Sequence, residues 1–104
     1  MGTSRRLKLQ EELSSVLGSS NVYFQPPDSI VMKYPCIVYE KKDVESLYAD
    51  NSRYFQTQSY DITVIDKDPD SSIVQSLLDH FKYIYYDRHY VTDNLNHDSL
   101  VITY

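Results

Sequence analysis

The chain has 104 residues and a formal charge of −5, with 10 Lys plus Arg against 15 Asp plus Glu. That length suits one domain around a single core and excludes two large enzyme domains, while the acidity argues against general binding to phosphate backbones, which needs clustered cations. No apolar run approaches the ~20 residues of a membrane span. The opening Met1-Gly2-Thr3-Ser4-Arg5-Arg6 has no apolar stretch behind it, so no signal peptide is expected. The single Cys36 excludes an intrachain disulfide and points to a soluble chain made in a reducing cytoplasm.

Leu9, Leu13, Val16 and Leu17 recur at helical spacing with Gly18 behind them, which predicts a helix over residues 4–17. Val22, Tyr23 and Phe24 run into Pro26 and Pro27, the pattern of a short edge strand ending in an extended loop. Cys36 to Lys41 reads as a second strand, apolar for four residues and then charged. From Arg53 to Ile65 residues alternate as in a third strand, with Tyr60, Ile62 and Val64 on the face expected in the core. These two strands are expected to form a long antiparallel hairpin with an acidic tip. Asp68 as cap and Pro69 at the first helical position predict a second helix over 69–81, with Ile73, Val74, Leu77, Leu78 and Phe81 on its apolar face. Tyr83 to Thr92 and Leu100 to Tyr104 read as a closing hairpin, with turn residues at 93–98. The order α-β-β-β-α-β-β implies one α+β domain over residues 1–104, an antiparallel β-sheet flanked by two α-helices.

Gly2 and Gly18 are the only glycines, so no glycine-rich phosphate loop exists and a nucleotide-binding α/β enzyme is excluded. His80, His89 and His97 lack the spacing and the ligand number of a zinc site, and no metal or cofactor is expected. Cys36 opens an apolar strand, where burial as a small hydrophobe is expected over a nucleophilic role. The carboxylates fall in turns and loops, where capping and solubility account for them. No catalytic residue is expected.

Eleven tyrosines accompany three phenylalanines and no tryptophan. An aromatic ring with a polar tip suits a subunit contact, and tyrosine is equally a good strand residue. Residues 42–52 are the other unusual feature: Asp43, Glu45, Asp50 and Asn51 surround Leu47 and Tyr48. A projecting acidic loop with two apolar side chains suits an intersubunit contact; the alternative is that Leu47 and Tyr48 fold back over the core.

Several segments in order resemble small neck and tail proteins of long-tailed bacteriophages. They are Asn21-Val22-Tyr23-Phe24-Gln25-Pro26-Pro27, Met32-Lys33-Tyr34-Pro35-Cys36-Ile37-Val38-Tyr39, Tyr48-Ala49-Asp50-Asn51, Val64-Ile65-Asp66-Lys67-Asp68-Pro69-Asp70-Ser71 and Asp93-Asn94-Leu95-Asn96-His97-Asp98. The chain is similar there to the tail terminator or tail-completion class, whose fold is a β-sheet flanked by two helices. The resemblance implies a non-enzymatic virion protein, a homo-hexameric ring that caps the tail tube, contacts the tail tube protein and offers a surface to the head connector or stopper protein. It also implies assembly in the host cytoplasm, no membrane, and genomic DNA passing through the lumen without specific binding. Many members are longer, so docking decorations are expected to be reduced here. In such a ring, Asp43, Glu45, Leu47, Tyr48, Asp50 and Asn51 are expected near a subunit interface or the lumen. The alternatives are a head-completion or stopper protein of the connector, and a small monomeric regulator binding a host protein through its tyrosines.

Overall fold

The structure, a computed structural model, describes residues 5–27, 29–42 and 58–104. Its elements are α1 (Arg5–Leu17), β1 (Val22–Phe24), β2 (Cys36–Lys41), β3 (Ser59–Asp66), α2 (Ser72–His80), β4 (Ile84–Thr92) and β5 (Leu95–Thr103). The five strands form one sheet in the order β1-β2-β3-β5-β4. The expected α+β fold and element order are therefore present.

The sheet is mixed rather than wholly antiparallel. β1 runs parallel to β2, Val22 facing Ile37, while β2–β3, β3–β5 and β4–β5 are antiparallel. Parallel neighbours need a connection that carries the chain back to its starting edge, and the proline-rich stretch between Phe24 and Cys36 supplies it.

Strand alternation divides the sheet into two faces. Ile37 and Tyr39 of β2, Tyr60, Ile62 and Val64 of β3, and Leu100 and Ile102 of β5 share one face. With Leu9 and Leu13 of α1 and Leu77 and Phe81 around α2 they make the core. Both helices lie on this face, α1 against β1, β2 and α2, and α2 against β4. Tyr39 is the centre of this packing. Its aromatic ring is fully buried against Phe24 and Tyr60, with centroids at 4.9 and 5.9 Å. Its hydroxyl donates to Gln10 Oε1 at 2.7 Å and accepts from Arg6 Nη1 at 3.3 Å. The Arg6 guanidinium also lies 4.4 Å from the Phe24 centroid, so one cation joins α1 to both strands.

On the opposite face Cys36, Ile65, Val101 and His97 are also buried. Burial, and after it the Asp66 charge, push the Cys36 thiol up to about 11, which makes it a small apolar side chain rather than a nucleophile. Among the described residues no buried side-chain nitrogen or oxygen lacks a hydrogen-bond partner.

Local chemistry sets the element ends. Gly18, at φ +83°, donates its N–H to the Ser14 carbonyl at 2.8 Å and closes α1 in the left-handed conformation that favours glycine. α2 starts later than residue 69. Ser71 is its cap, accepting from the Ile73 N–H at 3.3 Å. Asp68 instead accepts from the Asp70 N–H at 2.9 Å, and Asp66 from the Asp68 N–H at 3.1 Å. Two successive aspartate turns thus hold 66–70 out of the helix, because short carboxylates compete for nearby backbone donors. The last hairpin is tighter than its composition suggests. Asp93 and Asn94, at φ 53° and 62°, form a two-residue turn of the kind that follows strand twist. Leu95 to Asp98 therefore belong to β5 rather than to the turn.

Across the helices, Glu12 accepts from the Tyr104 hydroxyl and lies 2.9 Å from His80 Nε2. The Tyr104 hydrogen bond holds the Glu12 carboxyl below its ordinary value; partial burial opposes this, and His80 adds to it. This contact ties α1 to the end of α2 and to the residue following β5.

Candidate interaction surface

Among the described residues β4 ends the sheet, paired with β5 on one side only, and every residue of β4 after Ile84 is exposed. Tyr83, Tyr85 and Val91 are 64%, 58% and 60% exposed, and Tyr86 and Tyr90 are exposed as well. Tyr39 and Tyr60 are core residues, whereas Tyr83, Tyr85, Tyr86 and Tyr90 gather exposed on this edge. Exposed aromatics on a rigid strand are the composition of a contact surface.

A bulge shapes the edge. Tyr86 faces Leu100 and Arg88 faces Ser99, which leaves Asp87 as an extra residue. The insertion resets the alternation, so Tyr86 and His89 share the helix face although they are three residues apart. Both reach one acceptor there. The Tyr86 hydroxyl donates to Asp98 Oδ1 at 2.7 Å and the His89 Nδ1–H to the same oxygen at 2.8 Å. Asp98 is only 7% exposed, so two donors satisfy its carboxylate where little water does. On the other face the Tyr90 ring stacks on His97 at 4.8 Å and 14°, while His97 Nδ1 lies 3.1 Å from the Leu95 carbonyl.

Desolvation first, then the hydrogen bond and charge of Asp98, push the Tyr86 hydroxyl from 10.0 up to about 12. A raised value favours the neutral phenol in the folded state. Its stabilisation is whole below pH 10.0 and is lost as pH rises toward about 12. Urea midpoints of the parent and Tyr86→Phe should therefore converge across that window; a constant gap would show that the hydroxyl's donation to Asp98 is not what separates them.

The carboxylate-held imidazole of His89 has the orientation used in general-base catalysis. Among the described residues no serine, threonine or cysteine side chain hydrogen-bonds its other ring nitrogen, and no group of three metal-binding side chains occurs. The two hydrogen bonds to Asp98 tie β4 to β5. His89 and His97 do not converge: His89 faces Asp98, and His97 faces Tyr90.

Asp43, Glu45, Leu47, Tyr48, Asp50 and Asn51 lie outside the described residues, as do the first residues of the expected third strand. The root of that segment is described. The Lys42 N–H donates to the Ser59 carbonyl at 2.9 Å, and the Gln58 side-chain amide donates to the Lys42 and Ser59 carbonyls, both at 2.9 Å. The expected antiparallel pairing below the tip is present from Cys36–Ile65 to Lys41–Tyr60. No helix among the described residues is long and apolar enough to cross a membrane. No protein-family model matches the sequence, and no curated protein matches it.

Proposed function

We propose that this chain is a structural protein of a long-tailed bacteriophage neck, a tail terminator that caps the tail tube as a homo-hexameric ring and joins it to the head connector. The observation that carries the reading is the exposed aromatic edge Tyr83, Tyr85, Tyr86, Tyr90 and Val91 on a well-anchored strand. It suits protein association. The two-helix, one-sheet fold agrees with what the sequence resemblance implies, and a net charge of −5 suits a lumen through which DNA must slide without adhering. A ring of head-to-tail copies uses two different patches per subunit. The segment with Asp43, Glu45, Leu47, Tyr48, Asp50 and Asn51 is proposed to stand near one of these patches or the lumen.

The test is negative-stain electron microscopy of particles made when the gene carries an early stop codon. Overlong tails beside filled, tailless heads are the expected result. Tails of normal length that fail to join heads would move the chain to a head-completion or stopper role. Normal infectious particles would overturn the neck assignment and leave a host-binding regulator as the reading of the same tyrosine surface.

A further inference from the structure

We infer that the β4 edge is closed in the free protein by β4 of a second copy, the two strands pairing antiparallel about a two-fold axis between Asp87 and Arg88. Edge strands carry unpaired backbone groups, and charges or bulges usually keep neighbours away. Here the charges and the bulge match each other. Counting outward from the axis, Asp87 of one copy meets Arg88 of the other, Tyr86 meets His89, Tyr85 meets Tyr90, and Ile84 meets Val91. Acid faces base twice, aromatic faces aromatic, and aliphatic faces aliphatic, the pairs that stabilise antiparallel strands.

Two independent features of the fold make this register possible. The first is which face each side chain occupies. In a regular strand, residues an odd number apart lie on opposite faces, so the matched pairs would point to opposite sides of a joined sheet. The extra residue at Asp87 removes that conflict: Ile84, Tyr86, His89 and Val91 share the helix face, and Tyr85 and Tyr90 share the other. Asp87 and Arg88 both adjoin Ser99, whose hydroxyl lies 3.5 Å from Asp87 Oδ2, so the two charges also stand on one side. Arg88 has no carboxylate partner among the described residues; its guanidinium lies 5.4 Å from the Tyr90 centroid.

The second feature is the backbone. The Thr103 N–H donates to the Tyr83 carbonyl at 2.8 Å, so by alternation Tyr85 bonds inward to β5 while Ile84 and Tyr86 turn their N–H and C=O outward. From the other end, the two-residue turn makes Thr92 and Leu95 its closing bonded pair, which leaves Val91 and His89 outward. The outward residues are the ones the register sets opposite one another, Ile84 with Val91 and Tyr86 with His89. Side chains and backbone hydrogen bonds therefore select the same pairing.

The inference goes beyond the neck reading. A two-fold contact closes after two copies, whereas a hexameric ring of the proposed kind needs head-to-tail contacts. The dimer is thus a form of the free chain.

Sedimentation velocity of the purified full-length chain, from micromolar to submillimolar concentration, tests it. The parent should move from monomer to a species of twice the chain mass. Arg88→Asp should weaken that dimer by at least about tenfold, because two carboxylate pairs then face each other across the axis. The double variant Asp87→Arg/Arg88→Asp restores opposite charges and should restore the dimer, which no general loss of folding would do. Amide exchange at Tyr86 and His89 in the parent should slow as concentration rises, a readout that needs no variant. A parent that stays monomeric throughout, or an oligomer indifferent to Arg88→Asp, would overturn the pairing. Neither result bears on the stop-codon phenotype, so the neck reading stands or falls separately.

Discussion

Tyr39→Ala is expected to cost about 3–5 kcal/mol, the range for deleting a large aromatic from a core. The side chain is fully buried, and four neighbours lose a contact at once: Phe24 and Tyr60 by ring packing, Arg6 and Gln10 of α1 by hydrogen bonds. Chains of this size have about 5–15 kcal/mol in total, so urea unfolding of the variant should start near zero denaturant. Tyr39→Phe separates the two contributions. It keeps the aromatic contacts and removes only the hydroxyl that links Gln10 and Arg6, which should cost about 0.5–1.5 kcal/mol. Equal losses in both variants would mean that the hydrogen bonds, not the aromatic packing, hold α1 to β2.

Leu77→Ala is expected to cost about 2–5 kcal/mol and to release α2 first. The helix Ser72–His80 has nine residues, too few to persist alone in water, so it survives through the face it buries. Leu77 is the one fully buried side chain of that helix, and Phe81 follows at its C-cap, where the Phe81 N–H donates to the Leu77 carbonyl at 3.1 Å. Amide exchange should accelerate across 72–80 well before β2 and β3 lose protection. Uniform exchange throughout the chain would instead show that helix and sheet open as one unit.

Much of this architecture is local enough to read from composition. The alternation of Tyr60, Ile62 and Val64 marks the core face of β3, and Leu9, Leu13 and Gly18 mark the face and end of α1. What escapes local reading depends on partners distant in the chain. The direction of β1 is set by how the proline-rich connection returns, which no spacing within Val22–Phe24 records. Leu95-Asn96-His97-Asp98 resembles a turn in composition but lies in β5, because the left-handed Asp93 and Asn94 complete the reversal and Asp98 is bonded by Tyr86 and His89. The aromatic strand Tyr83–Thr92 was legible as a strand. Its position at the sheet edge was not, since it follows from β5 inserting between β3 and β4. The bulge at Asp87 is likewise a property of pairing with β5. The six candidate residues from Asp43 to Asn51 stand out by their charges and by Leu47 and Tyr48 among them, features that name a segment without a geometry.

The clamp at Lys42, Gln58 and Ser59 bears on how such a chain diversifies. Those hydrogen bonds bring the two ends of the 43–57 segment together within the sheet ladder, whatever lies between them. Closure entropy grows slowly with loop length, about 0.6 kcal/mol for each doubling. The cost of closing that connection therefore depends only weakly on its length, and the clamp decides where the chain leaves and rejoins the sheet. A chain of this kind can thus vary the length of that connection at small entropic cost while β2 and β3 keep their register.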